Sequence, residues 1–131
     1  MNKEKAPSMD QWLQEAKKDP QAASCGMYLF HAGVVRQSAR ACVREGEKDV
    51  PPVAGLTLSY EEAKVSEAVK RAREMPGIHY VRVWLNQGEL EVGDDMMRVL
   101  VGGDIRPHVV DALQALVEEI KTNCVNEKET F

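Results

Sequence analysis

The stretch that decides the fold is residues 96–121, MMRVLVGGDIRPHVVDALQALVEEIK. Its first six residues are mostly apolar and predict a β-strand. Pro107 then takes a favourable position at a helix start, and apolar residues recur at helical spacing up to Lys121, namely Val109, Leu113, Leu116, Val117 and Ile120. Between the two elements, Gly102-Gly103 favours a tight strand-to-helix turn over an anion-binding nest.

A second predicted strand precedes this stretch. Residues 78–85 are rich in β-branched and aromatic side chains, which favour strands. Residues 88–95 then reverse the chain into the strand at 96–101. The two strands are therefore predicted to form a hairpin with a long connection.

Two helices are predicted from their start signals and apolar stripes. Ser8 with Gln11, and Ser59 with Glu62, match the capping-box pattern, in which two side chains satisfy backbone donors at a helix start. The second helix is expected to end at the Met-Pro-Gly of 75–77. The stripes are Met9, Trp12, Leu13 and Ala16 in the first helix, and Val65, Ala68, Val69 and Ala72 in the second.

The remaining segments differ sharply in composition. Residues 26–36 are apolar on both faces and predict a strand covered on two sides, with Gly33 indicating a bulge or a close backbone approach. Residues 53–60 predict another strand. The polar segment 37–52 is expected to be a flexible loop, and 122–131 a polar tail with few packing groups.

The predicted order is helix, strand, strand, helix, strand, strand, helix. This order indicates an α+β fold with helices packed on an antiparallel or mixed sheet. The 131 residues suit one domain, expected to span 1–131.

Charge and hydropathy restrict the class of protein. The formal net charge of −4 removes the broad positive field of a nonspecific nucleic-acid binder, although a local basic pocket is compatible with it. No apolar run approaches the ~18 residues of a membrane span, and the polar start lacks the apolar segment of a secretory signal. We therefore expect a cytoplasmic protein that binds neither nucleic acid nor membrane.

Cysteines and histidines show no metal-ligand spacing. The cysteines are odd in number and far apart, which favours free thiols in a reducing compartment; they are Cys25, Cys42 and Cys124. The histidines fall in two predicted strands and at a helix start; they are His31, His79 and His108. No metal site is predicted. The serine-hydrolase, P-loop and dinucleotide glycine motifs are also absent from the sequence.

Four cations stand at the ends of predicted elements. Lys121 ends the last helix, where the macrodipole favours a cation, and Lys128 follows in the tail. Arg36 ends the first strand, and Arg106 stands beside backbone amides that are able to hold a phosphate. Ordinary solvated surface positions also explain Lys121, Lys128 and Arg36. If the tail instead folds over a cleft, desolvation would lower the pKa of a lysine and free its amine for catalysis.

Four short segments together carry a family resemblance. They are GMYLFHAGVVR at 26–36, LTLSYEEA at 56–63, GELEVGDD at 88–95, and Lys121-Thr122 followed by Lys128. In this order and spacing they resemble the large, catalytic subunit of molybdopterin synthase, over about residues 10–129.

The resemblance implies an α/β-hammerhead fold and a homodimer. It also implies a partner, a small ubiquitin-like sulfur-carrier subunit whose C-terminal Gly-Gly tail carries a thiocarboxylate. In this family the tail gives up its sulfur to cyclic pyranopterin monophosphate, and two such transfers build the dithiolene of molybdopterin. The pterin is the substrate, so the resemblance implies no resident cofactor.

Five site residues follow from the resemblance by position. Lys121 would act as general acid/base or transient nucleophile, with Lys128 assisting it and holding the phosphate or the carrier's carboxyl end. Arg36, which ends the GxVR strand, and Arg106, which opens the last helix, would bind the substrate's anionic groups. His108 is a candidate replacement for the histidine that this family has beside that arginine.

The sequence departs from the family pattern at several places. Ile105 stands where the histidine is expected, and Asn86 stands where an arginine is frequent. Residues 125–127 replace a Pro-aromatic-Trp run, and the sequence ends at Phe131, where family members usually continue. These changes motivate an alternative, a catalytically weakened relative that binds the carrier or the pterin without completing synthesis. A third hypothesis is a homodimeric hammerhead domain with an unrelated small-molecule ligand.

Overall fold

The structure, a computed structural model, describes residues 2–39, 46 and 50–131. Its elements, in chain order, are α1 (Met9–Ala16), β1 (Met27–Val34), β2 (Gly55–Tyr60), α2 (Glu62–Arg73), β3 (Ile78–Leu85), β4 (Gly88–Glu91), β5 (Asp95–Gly103), α3 (Arg106–Glu119) and β6 (Val125–Thr130). A short 3₁₀ turn precedes β1, and a π-helical turn, Ile120–Cys124, joins α3 to β6. The predicted α+β class is confirmed.

The strands form two antiparallel sheets of three strands each. The first sheet has the order β1-β5-β3, and the second has the order β4-β2-β6. The predicted hairpin is therefore present as the pairing of β3 with β5, but its connection contributes β4 to the other sheet. The sequence patterns did not predict β4, because four residues are too few to show a period.

Alternating side chains of β5 separate two apolar layers. Val99 and Val101 face α2 and α3 and pack against Ala68 and Leu116 in the main core. Leu100 faces the opposite side and packs against Trp12 and Ala16 of α1. Because successive strand residues point to opposite faces, one strand serves both layers. All three of these β5 side chains are 0% exposed.

Capping explains the start of α1 but not that of α2. The Ser8 Oγ accepts a hydrogen bond from the Gln11 backbone N–H at 3.2 Å, which confirms one half of the predicted capping box. The Gln11 side chain instead donates to Glu15 at 3.4 Å. The predicted cap at Ser59 is wrong, because Ser59 belongs to β2 and pairs with Asn126 in β6. The N-cap of α2 is Glu61, whose side chain makes no capping hydrogen bond.

The polar tail is not structureless. Residues 125–130 form β6, which pairs antiparallel with β2 from Tyr60↔Val125 to Gly55↔Thr130. The prediction that 122–131 is a polar tail is therefore wrong for 125–130: the segment is polar, but backbone pairing with β2 makes it a strand without an apolar stripe.

The predicted loop 37–52 is described only in part. Residues 40–45 and 47–49, including Cys42, lie outside the described residues. At the ends of the segment, Ala39 is 1% exposed and the Val53 N–H donates to the Gln37 carbonyl at 2.7 Å. In the part of the chain that the structure describes, no helix is long and apolar enough to cross a membrane.

Asn86 ties the N-terminal segment to the first sheet. Its side chain is 2% exposed. The Oδ1 atom accepts from the N–H groups of Glu4, at 2.7 Å, and Gln87, at 2.9 Å. The Nδ2 atom donates to the carbonyls of Glu4, at 3.1 Å, and Asp95, at 2.8 Å. Every hydrogen-bonding group of this buried amide is satisfied, which is the condition for a buried polar side chain to stabilise a fold.

We expect Asn86→Ala to lower the free energy of unfolding by about 2–4 kcal/mol, because it removes the hydrogen-bond partners of four partly buried backbone groups. Urea unfolding followed by circular dichroism measures the change. Asn126→Ala, which truncates an exposed asparagine in β6, is the matched control and should change stability by less than about 0.5 kcal/mol. An equal loss in both variants would contradict this role of Asn86.

Candidate functional site

A cavity of about 300 Å³ lies where the two sheets meet. We call it the Lys121 pocket. Its polar lining residues come from three segments: His31 in β1 and Arg36 just beyond it, Lys121 in the π-helical turn, and Glu127 and Glu129 in β6. Its apolar lining includes Val35, Val53, Leu56, Met96 and Met97. Apolar walls with a few convergent polar groups are typical of small-molecule sites.

A bulge in β1 leads Arg36 to the pocket. The pairing register of β1 with β5 shifts between Gly33 and Val34, which agrees with the first of the two features predicted at Gly33, a bulge or a close backbone approach. Bulges change the direction of a strand and are frequent beside functional sites. Arg36 follows the end of β1, is exposed, and donates its Nε hydrogen bond to the Ser38 carbonyl at 3.0 Å.

The π-helical turn after α3 positions Lys121. Ile120 and Cys124 are buried on either side of it and anchor the turn in the main core. Burial raises the pKa of the Cys124 thiol, which keeps it protonated and unreactive. Lys121 itself is half-buried and lies at the carboxyl end of α3, where the helix dipole favours a cation.

The alternation of β6 decides which of its side chains reach the pocket. Glu127 and Glu129 are half-buried and line it, whereas Lys128 lies between them on the exposed face of the strand. The structure therefore brings Arg36 and Lys121 together in one pocket but does not bring Lys128 to it. The role of Lys128 stays a prediction.

His31 is a pocket residue that the sequence analysis did not single out. It lies two residues before Gly33, on the same face of β1. Its Nε2 atom is buried and has no hydrogen-bond partner among the described residues. Burial, and secondly the nearby charge of Lys121, lower the pKa of His31 below its ordinary value of 6.5. The imidazole is therefore neutral at pH 7, and the basic side chains that line the pocket, among the residues that the structure describes, are Arg36 and Lys121.

A second polar cluster stands at the start of α3. Asp104 accepts from the Ile105 N–H at 2.6 Å, and its Oδ1 atom lies 2.8 Å from His108 Nδ1. The bond to His108 is the main reason that the pKa of Asp104 is lowered. Gly77, at φ +76°, passes so close that a Cβ there would lie 2.2 Å from the Asp104 carboxylate. We call Asp104, Arg106 and His108 the helix-start cluster.

The helix-start cluster and the Lys121 pocket are far apart in one chain. Arg106 opens α3 and Lys121 follows its end, and at 1.5 Å per residue the two backbones are separated by about 22 Å. Arg106 and His108 therefore do not join Arg36 and Lys121 within a single chain. The anionic substrate contacts predicted for them stay a prediction.

The three polar pocket residues that the sequence did not predict, His31, Glu127 and Glu129, differ in how well the sequence signals them. Glu127 follows from strand periodicity once 125–130 is recognised as a strand, because 125, 127 and 129 then share a face. His31 is one of several non-charged residues in an apolar run, and nothing in its spacing distinguishes it.

We expect the stability of the protein to fall as the pH drops below about 6.5, and His31→Phe to reduce that fall. The folded state lowers the pKa of His31, so below pH 6.5 the unfolded chain binds a proton at this residue more readily than the folded chain does. Thermal melts at pH 8 and pH 5.5 measure the difference. His79→Phe, at a histidine outside the pocket, is the matched control, and the same pH sensitivity in His31→Phe as in the parent would contradict the role of His31.

Comparisons with known proteins bear on the family and the fold of the chain. The family model described as MoaE protein matches residues 3–123. No match was found among the curated proteins. Among solved structures, the fold is similar to that of a molybdopterin synthase from Staphylococcus aureus, at 19% identity and a TM-score of 0.73, over 95% of this chain and 85% of the other.

Two further structures share the fold. A molybdopterin biosynthesis MoaE protein from Burkholderia ambifaria is 17% identical, with a TM-score of 0.69, over 97% of this chain and 79% of the other. A complex of subunits 1 and 2 of the molybdopterin-converting factor from Helicobacter pylori gives 16% identity and a TM-score of 0.64, over 95% of this chain and 79% of the matched one.

Proposed function

Because the chain belongs to the MoaE protein family, we propose that it is the large, catalytic subunit of a molybdopterin synthase. In this role it transfers sulfur from a thiocarboxylated small carrier subunit to cyclic pyranopterin monophosphate in molybdenum cofactor biosynthesis. The observation that carries the proposal is the convergence of Arg36 and Lys121 on one pocket with apolar walls.

The chemistry of the pocket suits two anionic reactants. The phosphate of the pterin and the thiocarboxylate of the carrier both need cationic hydrogen-bond donors, and such bonds strengthen when water is excluded. Arg36 offers a planar fork for a phosphate or carboxylate. Lys121, half-buried beside the apolar walls, is the group proposed to transfer protons or to act as a transient nucleophile.

A small-subunit partner is part of the proposal. The Helicobacter pylori relative is a complex of two subunits of a molybdopterin-converting factor, and the carrier tail must reach Lys121 to deliver its sulfur. The pocket is open to solvent beside the exposed Arg36, which gives an extended C-terminal tail a route into it.

A homodimer is also proposed, because Arg106 and Lys121 lie too far apart within one chain to contact the same substrate. Arg106 lies about 22 Å along the chain's last helix from Lys121, so the two act on one substrate only if they come from different protomers. A mixture of the inactive variants Arg106→Ala and Lys121→Ala should then regain activity that neither has alone, measured after subunit exchange. If subunit exchange is demonstrated and the mixture stays inactive, the proposal is contradicted. Either both residues then act in one protomer's site, or Arg106 takes no part in the reaction.

A catalytically weakened relative is the second candidate function. The observation that favours it is the pair of carboxylates, Glu127 and Glu129, on the pocket face of β6, together with the outward placement of Lys128. Carboxylates oppose the binding of anionic reactants and offset the two cations. Such a protein would bind carrier or pterin but release no product.

We expect Lys121→Ala to reduce formation of the dithiolene product by at least about 100-fold, the scale on which positioned acid–base groups act. Lys18→Ala, at an exposed lysine outside the pocket, is the matched control and should change the rate less than about threefold, the scale of a surface substitution. Lys128→Ala, on the other face of β6, tests the assisting role predicted for that lysine. The assay mixes the protein with its thiocarboxylated small subunit and cyclic pyranopterin monophosphate and measures the dithiolene.

The same assay separates the candidate functions. Product that disappears with Lys121→Ala supports the synthase. Binding of the small subunit without product supports the weakened relative, and neither binding nor product supports an unrelated ligand. An equal loss of dithiolene formation in Lys121→Ala and Lys128→Ala would show that Lys128 takes part in the reaction, and it would contradict the orientation of β6.

A further inference from the structure

Glu127 is a carboxylate that the proposed sulfur transfer leaves without a role. It is half-buried and lines the Lys121 pocket beside Met96 and Leu56. Among the described residues it makes no hydrogen bond or ion pair, so Lys121 does not neutralise it within the pocket. A partly desolvated carboxylate without a donor costs free energy, and a ligand that brings donors removes that cost.

The strand that carries Glu127 holds it at a fixed place. Glu127 pairs with Leu58 of β2, and β6 is tied at both ends by the Ala54 N–H to Thr130 carbonyl bond, at 2.8 Å, and the Glu61 N–H to Cys124 carbonyl bond, at 2.9 Å. Side chains on paired strands are positioned more accurately than those on loops. The carboxylate is therefore ready to recognise a particular edge of a ligand.

The lining of the pocket divides by charge. The cations come from the end of β1 and from the π-helical turn, whereas the carboxylates come from β6. Because the cations and the carboxylates stand on different elements, a ligand that suits this lining has an anionic group, a separate hydrogen-bond-donating edge and an apolar body. The methionines at 96 and 97 are adaptable packing partners for such a body.

We propose that Glu127 is a specificity-determining residue that binds the donor edge of a 2-amino-4-oxopteridine, while Arg36 and Lys121 bind its phosphate. The ring N3–H and the 2-amino group lie side by side and match the two oxygens of one carboxylate. This inference rests on the proposed function for its substrate class and adds the orientation of that substrate. A thiocarboxylate tail is repelled by Glu127, so it approaches from the cationic side.

The cavity is large enough for one such ring. Its volume of about 300 Å³ is at the lower end of the range of ligand pockets, which suits a single fused bicycle. In the proposed orientation the donor edge of the ring lies toward β6, and the negative groups lie toward Lys121.

The test is a fluorescence titration of the full chain with neopterin monophosphate, a fluorescent pterin that carries a phosphate. Glu127→Gln keeps the size of the side chain but replaces one acceptor oxygen with a donor. We expect it to weaken binding by about 10- to 100-fold, the effect of losing a charge-assisted hydrogen bond. Glu89→Gln, at an exposed glutamate of β4 outside the pocket, is the matched control and should bind as the parent does.

A second ligand tests the same edge without changing the protein. The corresponding phosphorylated lumazine carries a 2-oxo group in place of the 2-amino group. It should bind the parent about 10-fold or more weakly than the pterin, and Glu127→Gln should remove most of that preference. Thermal melts of both variants confirm that the comparison is made on folded protein.

The outcomes separate this inference from the proposed function. Pterin binding that depends on Glu127, in a chain that forms no dithiolene, upholds the inference and overturns the synthase. Dithiolene formation with an unchanged KM for the pterin in Glu127→Gln upholds the synthase and overturns the inference. Equal affinity for pterin and lumazine, no binding of either by the parent, or weakened binding of the small subunit alone in Glu127→Gln also overturns the inference.

Discussion

The register of β6 against β2 is the constraint on which the candidate site depends. Strand side chains alternate with a period of two, so a slip of one residue would turn Lys128 into the pocket and Glu127 out of it. Backbone hydrogen bonds at both ends of the strand pair fix the register, one to the carbonyl of Thr130 and one to that of Cys124. The charge of the pocket is thus set by backbone pairing as much as by the identity of its side chains.

Elements with their own apolar period were predictable from the sequence, and elements held by pairing were not. The stripe of α3 and the β-branched run of β3 bury side chains in the main core, and these patterns are visible in the sequence. The strands β4 and β6 are edge strands of the second sheet, with polar, alternating sequences. Their stability comes from hydrogen bonds to β2, which a single segment of sequence does not reveal. The capping pattern at Ser59 failed for the same reason, since the β2–β6 ladder includes that residue.

The candidate site was predictable in part, and only through the family resemblance. Spacing alone gave no reason for Arg36 and Lys121 to meet, because a strand end and a helix end converge only when the two sheets are assembled. The resemblance could not predict the face on which Lys128 lies, since that depends on the register of β6. Nor could it reveal His31, whose importance comes from its burial beside Lys121.

The balance of charge in the pocket determines how it selects its guest. With a net charge of −4, the chain as a whole does not attract a phosphorylated substrate over long distances. Among the described residues that line the pocket, two basic side chains are matched by two carboxylates while His31 stays neutral, so their formal charge alone provides no net attraction either. Affinity must then come from individual contacts that match each charged side chain to a complementary group of the ligand. A ligand that is anionic throughout therefore binds more weakly than one with an anionic group and a separate donor edge. A pocket of this kind binds its ligand in a single orientation. This suits a reaction in which the substrate must be fixed while the sulfur donor approaches from one side.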